Sequence, residues 1–330
     1  MSGPTTAGRA PLASVGVRAW IVTNGAAGFE AQALGVAEAL GVTAEIKRVS
    51  PPAPWRWIAP WGPAAPDPQI APPWPDLVIA SGRQSIPYAR KIRRDSKGKS
   101  FVAILQNPAV APSHFDFVWA PAHDRLNGRN VLSTLTSPHR LTPERLATEA
   151  ARLAPSIALL PRPRIAVLLG GTNAVYRLDE SAAATIADLL AALLDAGAGL
   201  MITPSRRTGS AQESIIRDRV AGRAAVMWDG CGDNPYFGYL GSADAVVVTC
   251  DSVNMVGEAA STGKPVYVIE LDGGSPKFRR FLDGMYAAGA ARKFAGRLEN
   301  WQPVPLNATD EIAAAIADAF RAHRAGGARS

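Results

Sequence analysis

Short apolar runs alternate with longer helical stretches along the chain, and glycine or polar turns separate them. Such runs, each followed by helical periodicity, are typical of strands buried in a parallel sheet that carries helices on both faces. The predicted strands are 18–23, 44–48, 77–80, 101–106, 115–120, 164–169, 200–203, 225–228, 245–249 and 266–269. The predicted helices are 30–40, 85–95, 143–153, 180–196 and 310–323, with a short helical turn at 237–241 and a further helix that follows 251–252 and ends near 262. The pattern therefore predicts an α/β fold.

A strand, a glycine turn and a helix follow one another in this order at two places, with the turns at 24–28 and 170–173. A chain of 330 residues exceeds the size at which one core usually keeps growing, so two domains are expected. The proline-flanked stretch 154–163 is the predicted crossover. We predict a disordered lead (1–16), an N-terminal domain (17–155), a C-terminal domain (156–305) and a last helix (306–330), for which packing back on the N-terminal domain is one option.

The N-terminal domain contains an insert at 51–75 that is rich in proline and tryptophan and in which we predict no regular element. Two interpretations of its four tryptophans stay open. They anchor the protein at a membrane interface, where tryptophan is favoured, or they pack beneath an irregular lobe.

The net charge of +7 lies entirely in the first half of the sequence. Residues 1–160 carry 17 Lys and Arg against 10 Asp and Glu, whereas residues 161–330 carry 18 of each. The densest basic stretch, 90–99, suggests an anionic membrane surface or ligand as partner. The alternative is a solvated helix end that keeps the protein soluble.

Composition excludes several classes of protein. No apolar run reaches the roughly 18 residues that span a bilayer, and the N-terminus lacks the core of a secretory signal. Two cysteines and four scattered histidines suggest neither disulfides nor a metal site. We therefore expect a cytoplasmic protein, with a peripheral position at the inner face of the membrane as an option, and no metal, cofactor or nucleic acid.

Ligands of parallel sheets bind beyond the carboxyl ends of the strands, so the turns there are the candidate sites. Backbone amides of Gly170, Gly171, Thr172 and Asn173 are candidate phosphate donors, although a tight structural turn would look the same. Arg206 and Arg207, with the Ser205 hydroxyl, suit bidentate phosphate contacts, unless the arginines form surface ion pairs.

Two further turns follow later strands of the same half. The glycine-rich loop from Asp229 to Asn234 could read a nucleobase edge at Gly230, or be a plain loop in which Asn234 caps a helix. In the stretch that begins with Asp251 and Ser252, Glu258 could accept hydrogen bonds from a ribose diol while Ser252 meets a phosphate. The alternative is a glutamate favoured by the helix dipole.

These residues resemble a known family. The run 243–248, Ser252 and the run 257–265 resemble the nucleotide-sugar half of GT-B glycosyltransferases, in particular the enzyme that adds N-acetylglucosamine to the lipid-linked peptidoglycan precursor. From 18 to 305 the chain resembles the mitochondrial-fission "elongated mitochondria" family; the matching stretches are 24–32, 81–83, 121–124, 130–131, 205–208, 234–236 and 251–253.

The resemblance implies two Rossmann-like domains that face a cleft. It also implies that Glu258 holds the ribose and that Trp228 or Gly230 lies beside the base. The diphosphate would be held by Gly171, Thr172, Ser205 and Arg206.

The catalytic base is not fixed by the resemblance. The peptidoglycan enzyme has a histidine where this chain has Phe29. Glu30 is one candidate for the base, and His123 with Asp124 is the other; a capping or ion-pair role is the alternative for each. The strand ends of the N-terminal domain are expected to line the acceptor side, with Asn24, Gly25, Gly28, Arg83 and Asn107.

Three functions follow. The first is a metal-independent glycosyltransferase that uses a nucleotide-diphosphate sugar, with UDP favoured, on a membrane-associated or lipid-linked acceptor. The second is a non-catalytic, membrane-recruited adaptor that keeps the fold. The third, a nicotinamide-dependent epimerase or reductase, is disfavoured because the turn 25–28 lacks the spacing Gly-x-Gly-x-x-Gly.

Overall fold

The computed structural model describes Leu12 and residues 16–327, so the predicted lead lies, apart from Leu12 and Gly16, outside the described residues. The chain forms two compact units. One contains the residues up to Arg140 together with those from Ala308 onward, and the other is Leu141–Asn307. We call them the N-terminal and C-terminal units.

Six parallel strands form the sheet of the N-terminal unit, in the order β2-β1-β3-β4-β5-β6. The strands are β1 (Ala19–Thr23), β2 (Ala44–Arg48), β3 (Leu77–Ser81), β4 (Phe101–Leu105), β5 (Phe117–Pro121) and β6 (Val131–Thr134), and the helices are α1 (Ala27–Ala39), α2 (Trp55–Ile58), α3 (Ile86–Asp95) and α10 (Ala308–Gly327). Strands β1, β3, β4 and β5 are buried along their whole length, as their unbroken apolar runs predict.

The C-terminal helix α10 completes the core of the N-terminal unit. Its side chains Ile312, Ile316 and Phe320 are buried together with residues of α1 and β4, and the Phe320 ring packs edge-on against Phe101. At its start, the Thr309 hydroxyl accepts a hydrogen bond from the backbone N–H of His139 and donates one to its carbonyl oxygen. The last helix therefore belongs to the N-terminal fold.

The C-terminal unit repeats the architecture with the strand order β9-β8-β7-β10-β11-β12, all parallel. Its strands are β7 (Arg164–Leu169), β8 (Gly199–Pro204), β9 (Ala225–Met227), β10 (Ala245–Thr249), β11 (Val266–Ile269) and β12 (Arg292–Lys293), and its helices are α4 (Pro143–Leu153), α5 (Glu180–Asp195), α6 (Ser210–Val220), α7 (Tyr236–Ser242), α8 (Val253–Ser261) and α9 (Pro276–Ala287). The strands β7 and β10 are neighbours in this sheet, and successive strands are added outward from β7 on one side and from β10 on the other. The direction in which strands are added therefore reverses between β7 and β10. This is the Rossmann arrangement, in which ligands bind at the point of reversal.

The division between the units differs from the predicted boundary. It lies before α4 rather than after residue 155. The reason is that α4 packs on α7: Gly238 and Gly241 bring the backbone of α7 so close that a Cβ at either position would lie within 3 Å of Glu149 or Leu146 carbonyl oxygens. The prolines from Pro155 onward therefore follow the first helix of the C-terminal unit instead of preceding it.

The tryptophan and proline insert also differs from prediction, since the four-residue helix α2 begins directly after Pro54. Its tryptophans divide into two pairs. Trp55 and Trp74 pack against the core, and Trp74 stacks edge-on against Trp20. Trp57 and Trp61 are 65% and 63% exposed. No helix within residues 16–327 is both long and apolar enough to cross a membrane.

Candidate functional site

The point of strand reversal in the C-terminal unit is organised around one buried carboxylate. Asp251 follows β10, and its side chain has no exposed surface. Its Oδ2 accepts hydrogen bonds from the backbone N–H of Gly171 (2.9 Å) and from Nη2 of Arg207 (3.0 Å). Its Oδ1 accepts one from the Thr249 hydroxyl (2.7 Å). The loops after β7, β8 and β10 are thus tied to one another.

A second layer of hydrogen bonds holds the same loops. The Thr249 hydroxyl accepts the backbone N–H of Gly170 (2.7 Å), and the amide of Asn173 donates to the carbonyl oxygen of Asp251 (3.1 Å). The Thr208 hydroxyl donates a hydrogen bond to the carbonyl oxygen of Gly170 (2.5 Å) and accepts one from the backbone N–H of Ser205 (2.9 Å). Buried polar groups that are satisfied in this way rigidify a site.

This network changes the interpretation of two predicted phosphate ligands. The N–H groups of Gly170 and Gly171, expected to be free, are already bonded to Thr249 and Asp251. Arg207 is held by Asp251. Arg206, by contrast, is exposed, and the described residues offer it no ion-pair partner. Gly170 and Gly171 are therefore scaffold of this loop, and Arg206 is the guanidinium that faces solvent.

Glycine is required at both positions for steric reasons. A Cβ on Gly171 would lie 1.9 Å from the carbonyl oxygen of Arg207, and one on Gly170 would lie 2.0 Å from Oδ1 of Asp251.

We expect Gly171→Ala to lower the free energy of unfolding by about 1–3 kcal/mol, because the loop after β8 must shift. Urea denaturation checks this, with Gly326→Ala as control, since no atom lies within 4 Å of a Cβ there. Equal stability of the Gly171→Ala variant and the control would contradict the steric argument.

A second cluster lies on α7 and α8. The Tyr236 hydroxyl donates to Oε2 of Glu258 at 2.5 Å, and Oδ1 of Asn234 accepts the backbone N–H of Tyr236. Burial raises the pKa of Glu258 to about 7, although the hydrogen bond from Tyr236 acts in the opposite direction. Burial and the neighbouring Glu258 raise the pKa of Tyr236 well above its ordinary value. Both titratable groups of the pair therefore favour their neutral forms more than they would in water.

The polar groups of the loop before α7 form hydrogen bonds with one another. Trp228 donates its indole N–H to the carbonyl oxygen of Cys231, whose own N–H is accepted by Asp229. Gly230 adopts a φ of +87°, a conformation that favours glycine. The hydroxyl of Ser252 caps α8 by accepting the N–H of Met255. Ser252 therefore has a capping role that the sequence analysis did not assign. The residue at the N-cap of α7 is Pro235, and Asn234, which precedes it, accepts the N–H of Tyr236, the first residue of that helix.

Two cavities lie along the same edge of the sheet. One, of about 360 Å³, is lined by the loop after β7 from Thr172 to Asp179 and by Asp272 and Gly273 after β11. The other, of about 240 Å³, is lined by Cys250, Tyr176 and the stretch that follows β11. Tyr176 and Gly273 border both cavities and form a bridge between the two loops.

The sequence analysis missed several residues of this edge. Tyr176, Thr208, Tyr236 and Thr249 take part in the contacts described above, and Glu270 lines the smaller cavity, where it accepts hydrogen bonds from Tyr286 and Lys293. A hydroxyl at the last position of a buried strand, as in Thr249, is the signal that could have found one of them. Burial raises the pKa of the Cys250 thiol in the same cavity.

The predicted residues of the N-terminal unit form separate local contacts. Glu30 makes a bidentate ion pair with Arg48, at 2.6 and 2.9 Å. His123 is buried in a short turn after β5, with its Nε2 3.9 Å from Asp124. The structure thus gives Glu30 the ion-pair role that the sequence analysis held as an alternative to catalysis.

The remaining acceptor-side candidates lie in the turns that follow β1, β3 and β4 or in the first turn of α1. Asn24 and Asn107 use their side-chain oxygens to accept backbone N–H groups of their own loops. Gly25 has a φ of +80°, and Gly28 lies in the first turn of α1. Arg83 donates to the carbonyl oxygen of Trp57. Within the described ranges, no group of three or more His, Cys, Asp or Glu side chains is placed to hold a metal ion.

Comparison with solved structures shows the fold. A putative UDP-N-acetylglucosamine 2-epimerase from Listeria monocytogenes aligns with a TM-score of 0.53 over 92% of this chain and 89% of its own, at 11% identity. The UDP-GlcNAc 2-epimerase of Methanocaldococcus jannaschii aligns with a TM-score of 0.51 over 91% and 99%, at 10% identity. At such identities the likeness shows the fold alone, which is of the GT-B type.

Comparison of sequences shows the family. The mitochondrial fission protein ELM1 of Arabidopsis thaliana is 32% identical over 269 residues, which are 73% of this chain and 63% of that protein. An uncharacterized protein of Rickettsia prowazekii, RP120, is 25% identical over 76% of this chain and 81% of its own. The family model described as mitochondrial fission ELM1 matches residues 27–320. The chain therefore belongs to the mitochondrial fission ELM1 family.

Proposed function

We propose that the C-terminal unit binds a nucleotide-diphosphate sugar and that the protein is a metal-independent glycosyltransferase. The observation that carries this proposal is the place of the polar loops. They follow β7 and β10, between which the strand order reverses, and the neighbouring β11, and they border two adjoining cavities. Open α/β sheets bind nucleotides at this point.

The charge at this edge suits a diphosphate. Arg206 is exposed and unpaired in the described chain, and Arg207 keeps about 44% of its side chain exposed while Asp251 orients it. Guanidinium groups bind phosphate oxygens in a bidentate manner. A diphosphate that leaves a sugar gains negative charge in the transition state, and Arg207, held in place by Asp251, would stabilise that charge without rearrangement.

Glu258 is the proposed ribose ligand. Its carboxylate is held by one hydrogen bond, from Tyr236, so the remaining lone pairs could accept a diol. A ligand that donates two hydrogen bonds favours the ionised carboxylate, whose pKa of about 7 in the unliganded protein would then fall. The M. jannaschii epimerase is described in complex with UDP-GlcNAc and UDP, which supports a uridine nucleotide as the first ligand to test.

The adaptor is the second candidate, and one observation favours it. Glu30, a proposed base, is occupied by Arg48, and the other proposed base, His123, is buried. Either group would have to rearrange before taking a proton from an acceptor hydroxyl. An adaptor that keeps the nucleotide site needs no such rearrangement.

Calorimetric titration tests the proposal. UDP, UDP-N-acetylglucosamine, GDP and a nicotinamide dinucleotide are titrated into the wild type and into the variants Glu258→Ala and Glu149→Ala. Glu149 is a matched control because it pairs with Arg152 on the neighbouring helix α4. We expect micromolar binding of the uridine nucleotides that falls at least tenfold in Glu258→Ala and is retained in Glu149→Ala. Absence of binding by every nucleotide would overturn the donor site.

A second measurement separates the transferase from the adaptor. Release of UDP from UDP-N-acetylglucosamine by the wild type, lost in Glu30→Gln or in His123→Asn with nucleotide affinity unchanged, supports the transferase. Tight binding with no release of UDP in the presence of candidate acceptors supports the adaptor.

A further inference from the structure

The N-terminal unit exposes a group of large apolar side chains beside unpaired arginines. Trp57, Ile58 and Trp61 are 65%, 40% and 63% exposed, and all three lie on α2 or directly after it. We call this group, together with Arg56, Arg83 and Arg90, the tryptophan face. Scattered exposed apolar residues are common, but two tryptophans within five positions mark an interaction surface.

The arginines are joined to the tryptophans by direct contacts. Arg83 donates to the carbonyl oxygen of Trp57 (3.1 Å), and its guanidinium lies 5.4 Å from the centre of the Trp61 ring. Arg90 donates to the carbonyl oxygen of Trp61 (3.2 Å). Cationic and apolar groups are therefore presented together rather than on opposite sides of the segment.

The positive charge of the face is not neutralised. In the part of the chain that the structure describes, Arg56, Arg83 and Arg90 form no ion pair. The neighbouring helix α3 behaves differently: Lys91 and Arg94 pair with Asp95, and Arg93 pairs with Asp116. Three of the six basic residues in the stretch 90–99 are thus paired. Lys97 and Lys99 form no ion pair among the described residues, and the unpaired Arg90 contacts the backbone of Trp61.

The backbone presents these side chains with little freedom. Ten of the 25 residues in 51–75 are proline, which fixes φ. The flanking tryptophans, Trp55 and Trp74, are packed into the core and hold the segment at both ends. Ordering the face on contact with a partner therefore costs little conformational entropy.

We propose that the tryptophan face docks the protein onto an anionic lipid bilayer. Indole rings favour the boundary between headgroups and acyl chains, and arginines beside them attract anionic headgroups. A second copy of the chain fits less well, because a symmetric contact would bring the same three unpaired guanidinium groups together. This inference does not depend on the nucleotide site of the C-terminal unit.

Vesicle flotation tests the proposal. The wild-type chain is mixed with vesicles of phosphatidylcholine alone, or with one quarter phosphatidylglycerol, and the bound fraction is measured at 0.1 and 0.5 M NaCl. We expect binding only to the anionic vesicles, and loss of most of it at high salt. Equal binding to neutral vesicles, or no binding to either, would overturn the proposal.

Variants assign the binding to the face. Trp57→Ala with Trp61→Ala is expected to weaken binding to anionic vesicles at least tenfold, and Arg56→Gln about fivefold. Leu159→Ala is the matched control, because Leu159 is 99% exposed on the C-terminal unit. Trp57→Phe with Trp61→Phe should restore part of the binding, which excludes misfolding as the cause. Undiminished binding by the alanine pair would overturn the assignment, as would sedimentation showing a wild-type dimer that this pair abolishes.

Discussion

Replacing Asp251 by asparagine is expected to lower the free energy of unfolding of the C-terminal unit by about 3 kcal/mol. The carboxylate accepts hydrogen bonds from Gly171, Thr249 and Arg207, and its side chain is fully buried. Asparagine has one acceptor oxygen and places an amide N–H group against one of these donors. It also leaves Arg207 without its counter-charge.

Urea denaturation monitored by circular dichroism measures this effect. Asp188→Asn is the matched control, since Asp188 pairs with Arg219 in the same unit but keeps 71% of its side chain exposed. An exposed pair contributes at most about 1 kcal/mol. If the two variants lost the same stability, the Asp251 network would not be what ties the three loops.

Replacing Glu258 by glutamine is expected to stabilise the protein at pH 8 by up to about 3 kcal/mol, and to have little effect at pH 4.5. Burial raises the pKa of Glu258 from 4.5 to about 7 in the folded protein. As pH rises through this interval, the unfolded chain releases the proton first, so the folded state loses stability. Glutamine removes this loss and can still accept the hydrogen bond from Tyr236.

The quantity to measure is the difference in unfolding free energy between the variant and the wild type at pH 4.5, 6, 7 and 8. Taking this difference cancels the contributions of other titrating groups to the unfolding free energy. His139 is one of them, because burial lowers its pKa to about 4. The control Glu149→Gln should run parallel to the wild type across this range. A difference for Glu258→Gln that is independent of pH would show that its carboxyl group is not buried as described.

Most of the sheet could be predicted from sequence because its strands are buried on both faces. Unbroken apolar runs such as 165–169 and 245–248 leave little choice of element or register. The missed elements are those with weaker patterns. Strand β6 is half exposed, and helix α6 buries only Ile216 and Val220.

Helix α9 carried a signal that the sequence analysis did not use. Ser275 accepts the backbone N–H of Phe278, and Pro276 occupies the first helical position. Serine followed by proline ahead of an apolar stretch is a helix start signal. Its buried residues, Phe281, Leu282 and Met285, follow helical spacing.

The sequence could indicate where the candidate site lies but not which side chains bind one another within it. Strand-end turns could be named because parallel sheets present them at one edge. The hydrogen-bond partners of these side chains could not be named, because the contacts join positions far apart in sequence. Arg207 with Asp251 and Tyr236 with Glu258 are examples. For the same reason Arg48 was not foreseen as the ion-pair partner of Glu30.

The return of the last helix to the N-terminal unit sets an order of events during synthesis. The C-terminal unit is one continuous segment, Leu141–Asn307, and it can close its core as soon as that segment has left the ribosome. The N-terminal sheet, although made before the C-terminal unit, lacks Ile312, Ile316 and Phe320 until those residues emerge. Its apolar surface over α1 and β4 stays uncovered while the whole second unit is translated. The half of the chain that is synthesised first is therefore the half that finishes folding last.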